Sequence, residues 1–409
     1  MNLKKTLSAA VAAAGLVVVA TSAQAAISID VYGDYGAYFE DFKKDITRKA
    51  GDFKHNPNDW GGHHNKLTLN IATGSGAADM TLIDTGMVGG FLGGGGLMDL
   101  TDKFAPFKKD MVDFAVKQGQ NDKGQQIAVP VDLGPGVAFY RRDYMEDAGY
   151  DLDTVMESWD SWLAYGRELR DEYGVYLVSN ADSVARSIIY GTVEAGNGIY
   201  TGPNNEILIE NERFQFAFNM AKTLREEGLD ENTGLWNDDW YNGFREGTFA
   251  MELQGAWLLG SMSTWIAADT EGSWGASNLP AGIYGTWGGT FAAIPAQTKD
   301  VEAAWDVIEY MISPKAQLAA FDEWTMFPAN KTVYANELFE AENDFLRGQN
   351  ANALFAEIAR NVIPVQPGAY DNTAETLVIN TALAEVLSDG RDVKEALKDA
   401  AQQLQKRMR

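Results

Sequence analysis

Residues 247–257, Gly-Thr-Phe-Ala-Met-Glu-Leu-Gln-Gly-Ala-Trp, carry a short apolar run into a glycine and, two residues on, a tryptophan. Gly255 has no Cβ, so backbone or ligand can approach it closely. Trp257 then falls on a turn at the mouth of a strand. A large flat ring in that place is a platform for a sugar face, which is apolar on one side and rimmed by hydroxyls. A position in the core is the competing reading, because tryptophan is mostly buried wherever it lies. Carboxylates mark the ends of other strand-like runs. Asp34 and Tyr35 lie in Gly33-Asp34-Tyr35-Gly36, a polar turn bracketed by glycines between a strand and a helix. That is a ligand position in α/β folds; a helix N-cap is the alternative for Asp34. Asp84 stands at the carboxyl end of the short apolar run 79–83, where open α/β sheets bind ligands. Asp132 opens the Asp-Leu-Gly-Pro-Gly interruption of the strand pattern 127–140.

The elements that must hold these residues alternate between strand and helix. Residues 27–32 form a β-branched strand, and a helical pattern follows over 39–50. Residues 58–64, Asn-Asp-Trp-Gly-Gly-His-His, read as a loop that presents Trp60 at a rim. Its two adjacent histidines do not make a metal site: adjacent side chains diverge, His55 is the one other histidine, and there is no cysteine. The stretch 66–71 is helical or extended. The glycine-rich run 89–96 lacks the Gly-Lys-Ser/Thr ending of a phosphate-binding loop. A strand broken by Gly134-Pro135-Gly136 and then resumed is a place for the chain to cross between lobes. Helical patterns cover 159–172, 187–198 and 211–227, and residues 277–280 read as a strand ahead of Trp287-Gly288-Gly289. Near the C-terminus, Ile379, Leu383, Val386 and Leu387 keep helical spacing, as do Val393, Ala396, Leu397, Ala400, Ala401 and Leu404.

Composition sets the outer bounds. Lys4 and Lys5, an alanine-rich apolar run and Ala23-Gln24-Ala25 form a secretory signal peptide, residues 1–25. The run is short for a bilayer span, and no cysteine follows the cleavage point to carry a lipid anchor. The mature chain is expected to be exported and soluble, which in a Gram-negative cell means the periplasm or outside. The 409 residues suggest two domains. The formal charge is −25, and the first 25 residues contribute two of the lysines. Nucleic acid and anionic membranes are poor partners for such a chain. Its 11 tryptophans and 16 tyrosines suit wet, amphipathic ligands.

Taken in order, the motifs resemble the family 1 extracellular solute-binding proteins, the maltose-binding-like receptors of ABC sugar importers. The resemblance covers essentially the whole mature chain. It rests on Gly33 to Gly36, the Ala-Thr-Gly-Ser-Gly-Ala-Ala-Asp of 72–79, Val129 to Pro135, the Phe-Tyr-Arg-Arg-Asp of 139–143, Gly247 to Met251 with Gly255-Ala256-Trp257, Gly288-Gly289, Ile294-Pro295 and Phe327-Pro328-Ala329. Ala78 departs from it, standing where the family usually has proline, and the His63-His64 loop is unusual.

The resemblance implies an α/β fold of the two-lobed periplasmic-binding-protein type, with three interlobe crossings and a ligand cleft between the lobes. The crossings would fall near Asp132, over 279–286 and near Met326-Phe327. One lobe would be 26–132 plus 287–326, the other 133–286 plus 327–409. It also implies roles: Trp257 as the tryptophan that stacks on sugar, Asp34 and Tyr35 as a hydroxyl-binding turn, Asp84 as a further polar contact, Asp132 in the first crossing, Trp287, Gly288 and Gly289 at the second, and Tyr370 as a cleft aromatic from the C-terminal segment. Charge-assisted hydrogen bonds from sugar hydroxyls to carboxylates are about twice as strong as neutral ones.

The function expected is a monomeric, cofactor-free carbohydrate receptor that binds a di- or oligosaccharide and hands it to an ABC permease. A polyamine or cation receptor of the same fold is one alternative, since it also uses acids and aromatics. A secreted glycosidase is the other; it needs two carboxyls roughly 5–5.5 Å or ~6.5–9.5 Å apart. The sequence shows no nucleophile elbow, metal spacing or histidine triad.

Overall fold

The computed structural model describes residues 26–202 and 205–409; the expected signal peptide lies outside them. Among the described residues nine strands form one mixed sheet: β1 Ile27–Tyr32, β2 Phe53–Asn58, β3 Met80–Asp84, β4 Val129–Arg141, β5 Tyr176–Val178, β6 Phe249–Gly255, β7 Trp274–Ser277, β8 Thr286–Ala293 and β9 Phe327–Pro328. The order is β2-β1-β3-β8-β4-β6-β5, with β7 and β9 also pairing to β4. β1 runs parallel to β2 and β3, and β5 runs parallel to β6. All seven residues of β6 are buried, as expected of strands covered on both faces.

β4 joins the two halves. As far as Pro135 it pairs with β8; from Gly136 it pairs with β6 and β7. The expected break at Gly134-Pro135-Gly136 is therefore a continuous strand with two register shifts. The reason lies in close approach: a Cβ on Gly134 would stand 2.0 Å from the Trp287 carbonyl oxygen, so glycine lets β4 and β8 pass without the strand ending. The first crossing falls at Pro135-Gly136, a few residues beyond Asp132.

The second passage between the halves is the segment 278–285 that joins β7 to β8. The third comes later than Met326-Phe327. β9 pairs with Asp132 and Leu133, Ala329 accepts from the Val112 amide at 2.9 Å, and the Gln317 side chain binds the Ala329 and Asn330 amides and the Val131 carbonyl. These residues stay with the first half. The chain reaches the β7 side by Phe345, which accepts from the Gly272 amide, and Gln349, which bonds Ala276 at both backbone groups.

Two helices differ from the reading of the sequence. Residues 60–64 are not loop but the start of the helix Trp60–Thr73, capped by Asp59, whose carboxylate accepts from the Gly62 amide. Cap and burial outweigh the two glycines: His63 and His64 are each 1% exposed. The helix expected over 187–198 is Ala181–Gly191, begun earlier by the Asn180 cap. The strand expected over 277–280 likewise lies earlier, as β7. The two C-terminal runs bury their apolar faces with Ala181–Gly191 and Glu212–Glu226 in a second core, while the largest core continues across β4 from one half to the other.

Candidate functional site

A cleft of about 1300 Å³ lies where the two halves meet, and six tryptophans line it: Trp60, Trp236, Trp257, Trp265, Trp287 and Trp324. Trp60, Trp236 and Trp265 are each 50% exposed, which is an unusual placement for the residue with the most apolar surface to hide. Trp257 stands on the turn after β6 and is half-buried. Its indole N–H donates to the Trp287 carbonyl at 2.9 Å, and the ring edge lies over Gly255 and Gly288, where a Cβ would come within 2.2 and 3.2 Å of Nε1. Gly288 and Gly289 take φ of 84° and 113°, a conformation glycine adopts without strain. Gly255 and Gly288 are what let the indole edge come so close to the backbone.

One wall of the cleft is rich in polar groups. Tyr35 is buried at the head of the helix Tyr35–Asp41 and donates its hydroxyl to Asp132 Oδ2 at 2.8 Å. Asp132 Oδ1 is buried without a partner. Burial pushes the Asp132 carboxyl up to about 6, against the Tyr35 hydrogen bond that favours its charge. Asp84 ends β3 and accepts from the Gly86 amide at 2.8 Å; burial pushes it up to about 6 as well. Asp34 occupies an N-cap position but makes no side-chain cap bond, so its exposed carboxylate is left facing the cleft.

The two histidines brace this wall. The Asp84 amide donates to His64 Nε2 at 3.0 Å, so the ring proton sits on Nδ1 and donates to the Trp60 carbonyl at 2.7 Å. Burial lowers His64 to about 4, which keeps it neutral. His63 binds the Leu82 carbonyl at 2.6 Å. No group of three metal-binding side chains occurs among the described residues.

The far rim comes from residues that sequence reasoning did not single out. Arg186 pairs with Glu375, and both line the cleft beside Tyr190, Tyr200 and Asn380. Asp371 lines it too; its Oδ2 accepts from the Gly368 amide at 2.7 Å, its Oδ1 has no partner, and burial pushes it up to about 7. Every expected site residue lines the cleft except Tyr370. Tyr370 packs on the second core instead. It precedes the helix Asp371–Glu375, so the next residues turn into the cleft and the tyrosine turns away. Arg186 and Glu375 carry no local motif, and Trp236 could have been found only by its closeness in sequence to the 247–257 stretch.

A cleft between two halves of one sheet, lined by both indoles and carboxylates, defines a two-lobed receptor for a polar, ring-bearing solute. The model of the family described as bacterial extracellular solute-binding protein matches residues 37–347. The chain belongs to that family. It is 23% identical over 361 residues to the arabinooligosaccharide-binding protein of Halalkalibacterium halodurans, covering 84% of this chain and 80% of that protein. It is 24% identical over 316 residues to the lactose-binding protein of Rhizobium radiobacter, covering 74% and 72%. Among solved structures, an extracellular solute-binding protein of family 1 superposes with a TM-score of 0.81 at 23% identity, over 93% of this chain and 98% of that one. An ABC transporter associated binding protein from B. animalis subsp. lactis, in complex with β-1,6-galactobiose, gives 0.76 at 24% identity over 92% and 96%.

Proposed function

We propose that this chain is an exported carbohydrate receptor that binds a di- or oligosaccharide in its cleft and delivers it to an ABC import permease. The observation that carries the reading is the lining itself: six tryptophans together with the carboxylates of Asp34, Asp84 and Asp132, in a space of about 1300 Å³. Indoles take the apolar faces of sugar rings; Asp34, Asp84 and Asp132 take the hydroxyls. Such a site rejects analogues that leave its buried polar groups unpaired. Relatives named for binding arabinooligosaccharides and lactose point the same way. Cleavage after Ala25 and delivery from the periplasm belong to this proposal. So does the role as a binder rather than a catalyst, in line with relatives that are named as binding proteins.

A second reading has its own observation. Among the described residues the cleft is lined by Asp34, Asp59, Asp84, Asp132, Asp371 and Glu375 against the single guanidinium of Arg186, a balance that also suits a polyamine. Isothermal titration of the mature protein decides. Lactose, maltotriose, arabinotriose and β-1,6-galactobiose are set against putrescine and spermidine. Heat with a saccharide and none with the amines supports the sugar reading; the reverse overturns it. Release of reducing ends from a glycan would replace the receptor by an enzyme.

A further inference from the structure

Trp257 is not free to receive a sugar on both faces, because Trp236 lies on one of them. The two indoles are nearly parallel, at 19°, with centroids 5.5 Å apart. Trp257 is fixed by its bond to the Trp287 carbonyl and its seat on Gly255 and Gly288. Trp236 is held differently. It sits in the irregular segment between Asp230 and the helix Asp238–Glu246, with φ of +61°. For a bulky residue that backbone is an outlier. The segment is tied at Thr233, whose amide donates to the Ser179 carbonyl and whose carbonyl accepts from Asn180. It is tied again at Asn237, which caps the next helix by accepting from the Trp240 amide. Between the ties lie Gly234, Leu235 and Trp236. Beneath it, Trp236 touches the buried Trp240 at 5.2 Å; above, half of it faces the cleft.

We propose that Trp236 is a specificity-determining cap. Its indole stands in for a sugar ring on Trp257, and a saccharide gains that face only by swinging Trp236 aside. The inference rests on the carbohydrate reading of the cleft and deepens it. A ligand must supply stacking and hydroxyl contacts that outdo the indole, which favours longer saccharides over single rings. The move also releases the left-handed backbone at residue 236, which favours the swing. A protein whose competent state is only partly populated binds with its affinity reduced by that fraction.

The test compares wild type with Trp236→Gly, Trp236→Phe and Trp257→Ala, using maltotriose, lactose and galactose as probes. Glycine accepts φ of +61° and uncovers Trp257, so Trp236→Gly should bind tighter. An aromatic pair is worth about 0.5–1.5 kcal/mol, which converts to roughly 2- to 13-fold. The gain should be proportionally largest for galactose, and Trp236→Phe should lie between. In near-ultraviolet circular dichroism the Trp159–Trp162 pair is common to both proteins, so the difference between free wild type and Trp236→Gly isolates the coupled signal of Trp236, which should be lost from the wild type on saturation with sugar. Weaker binding by Trp236→Gly, or a coupled signal that survives saturation, overturns the cap and makes Trp236 part of the platform. If no variant binds any of the sugars, the carbohydrate reading falls and the cap with it. Binding that is unchanged in Trp236→Gly but lost in Trp257→Ala leaves the receptor standing and removes the cap alone.

Discussion

A carboxylate accepts hydroxyl protons best when charged, and burial holds Asp84 and Asp132 up at about 6. A saccharide that donates to them favours the charged form and so lowers both values in the complex. Affinity should therefore be flat above about pH 7 and weaken as pH falls through 6, by at most tenfold per unit for each proton coupled. Titrations at pH 5 and 7.5 check this, and Asp132→Asn should flatten part of the slope. At the platform, Trp257→Ala should weaken saccharide binding by roughly 10- to 100-fold, an effect of 1.4 kcal/mol per decade. Glu252 obeys the opposite sign. It is 1% exposed within β6, its Oε2 faces the Trp240 indole N–H at 3.4 Å, its Oε1 has no partner, and burial pushes it up to about 8. In the unfolded chain it loses its proton near 4.5. Between these values the folded state holds the extra proton, so stability falls as pH rises from 4.5 to 8 and levels off above. Glu252→Gln removes that proton. It should melt with the wild type at pH 4.5 and above it, by roughly 2 °C or more, at pH 8.5. Calorimetry at the two values is the check; equal melting temperatures at pH 8.5 would mean Glu252 is not protonated in the fold.

At the scale of elements, the platform depends on β6 ending in a residue without a Cβ. Gly255→Ala places a methyl 2.2 Å from Trp257 Nε1 and 2.4 Å from the Trp287 carbonyl oxygen, both fixed by the bond between them. Overpacking of this kind costs about 1–3 kcal/mol, and it should tilt the indole as well. A lower melting temperature together with weaker saccharide binding is expected; loss of stability with affinity intact would separate the glycine from the platform. That the motif at 247–257 would end a strand and seat a tryptophan was legible in the sequence, because an apolar run, a glycine and an aromatic each have local causes. Strand ends at Asp84 and helix faces such as 393–404 were legible for the same reason. The helix start at Trp60 was not, since Gly61-Gly62-His63-His64 has poor propensity and only tertiary burial of the histidines decides it. Nor was the lining by Arg186 and Glu375, which lie on helices far apart in sequence and meet only through the second core. Tyr370 failed at the finest level. Pro367, Asp371 and Asn372 of its segment line the cleft, but which of two neighbours points inward depends on where the helix Asp371–Glu375 begins.

Across the whole molecule, the two halves meet at more than the sheet. On the rim formed by residues 87–120 and 366–372, Asn372 reaches Met87 Sδ at 2.8 Å and Gln366 donates to the Gln120 carbonyl at 2.5 Å. Gly89 lies so near Gly368 that a Cβ would stand 2.5 Å from its carbonyl oxygen and 3.1 Å from Pro367. Neither neighbour is a flexible side-chain tip, so a methyl at residue 89 cannot be accommodated while the rims touch. These contacts join the lobes through loops and short helices rather than through the cores, which marks them as the part that parts when the cleft opens. Ligand favours whichever state it contacts from both sides, and shifts the population by its differential affinity. Gly89→Ala should then leave the fold alone but penalise the closed state. Affinity for a saccharide that binds the wild type should fall by roughly tenfold for each 1.4 kcal/mol by which closure is disfavoured. The decrease in radius of gyration on saturation, read by small-angle X-ray scattering, should shrink or vanish, and the melting temperature without ligand should stay within about 1 °C. Unchanged compaction and affinity in this variant would show that the rims need not touch for the solute to be held, and that the crossings at β4, β8 and β9 alone set the geometry of the bound form.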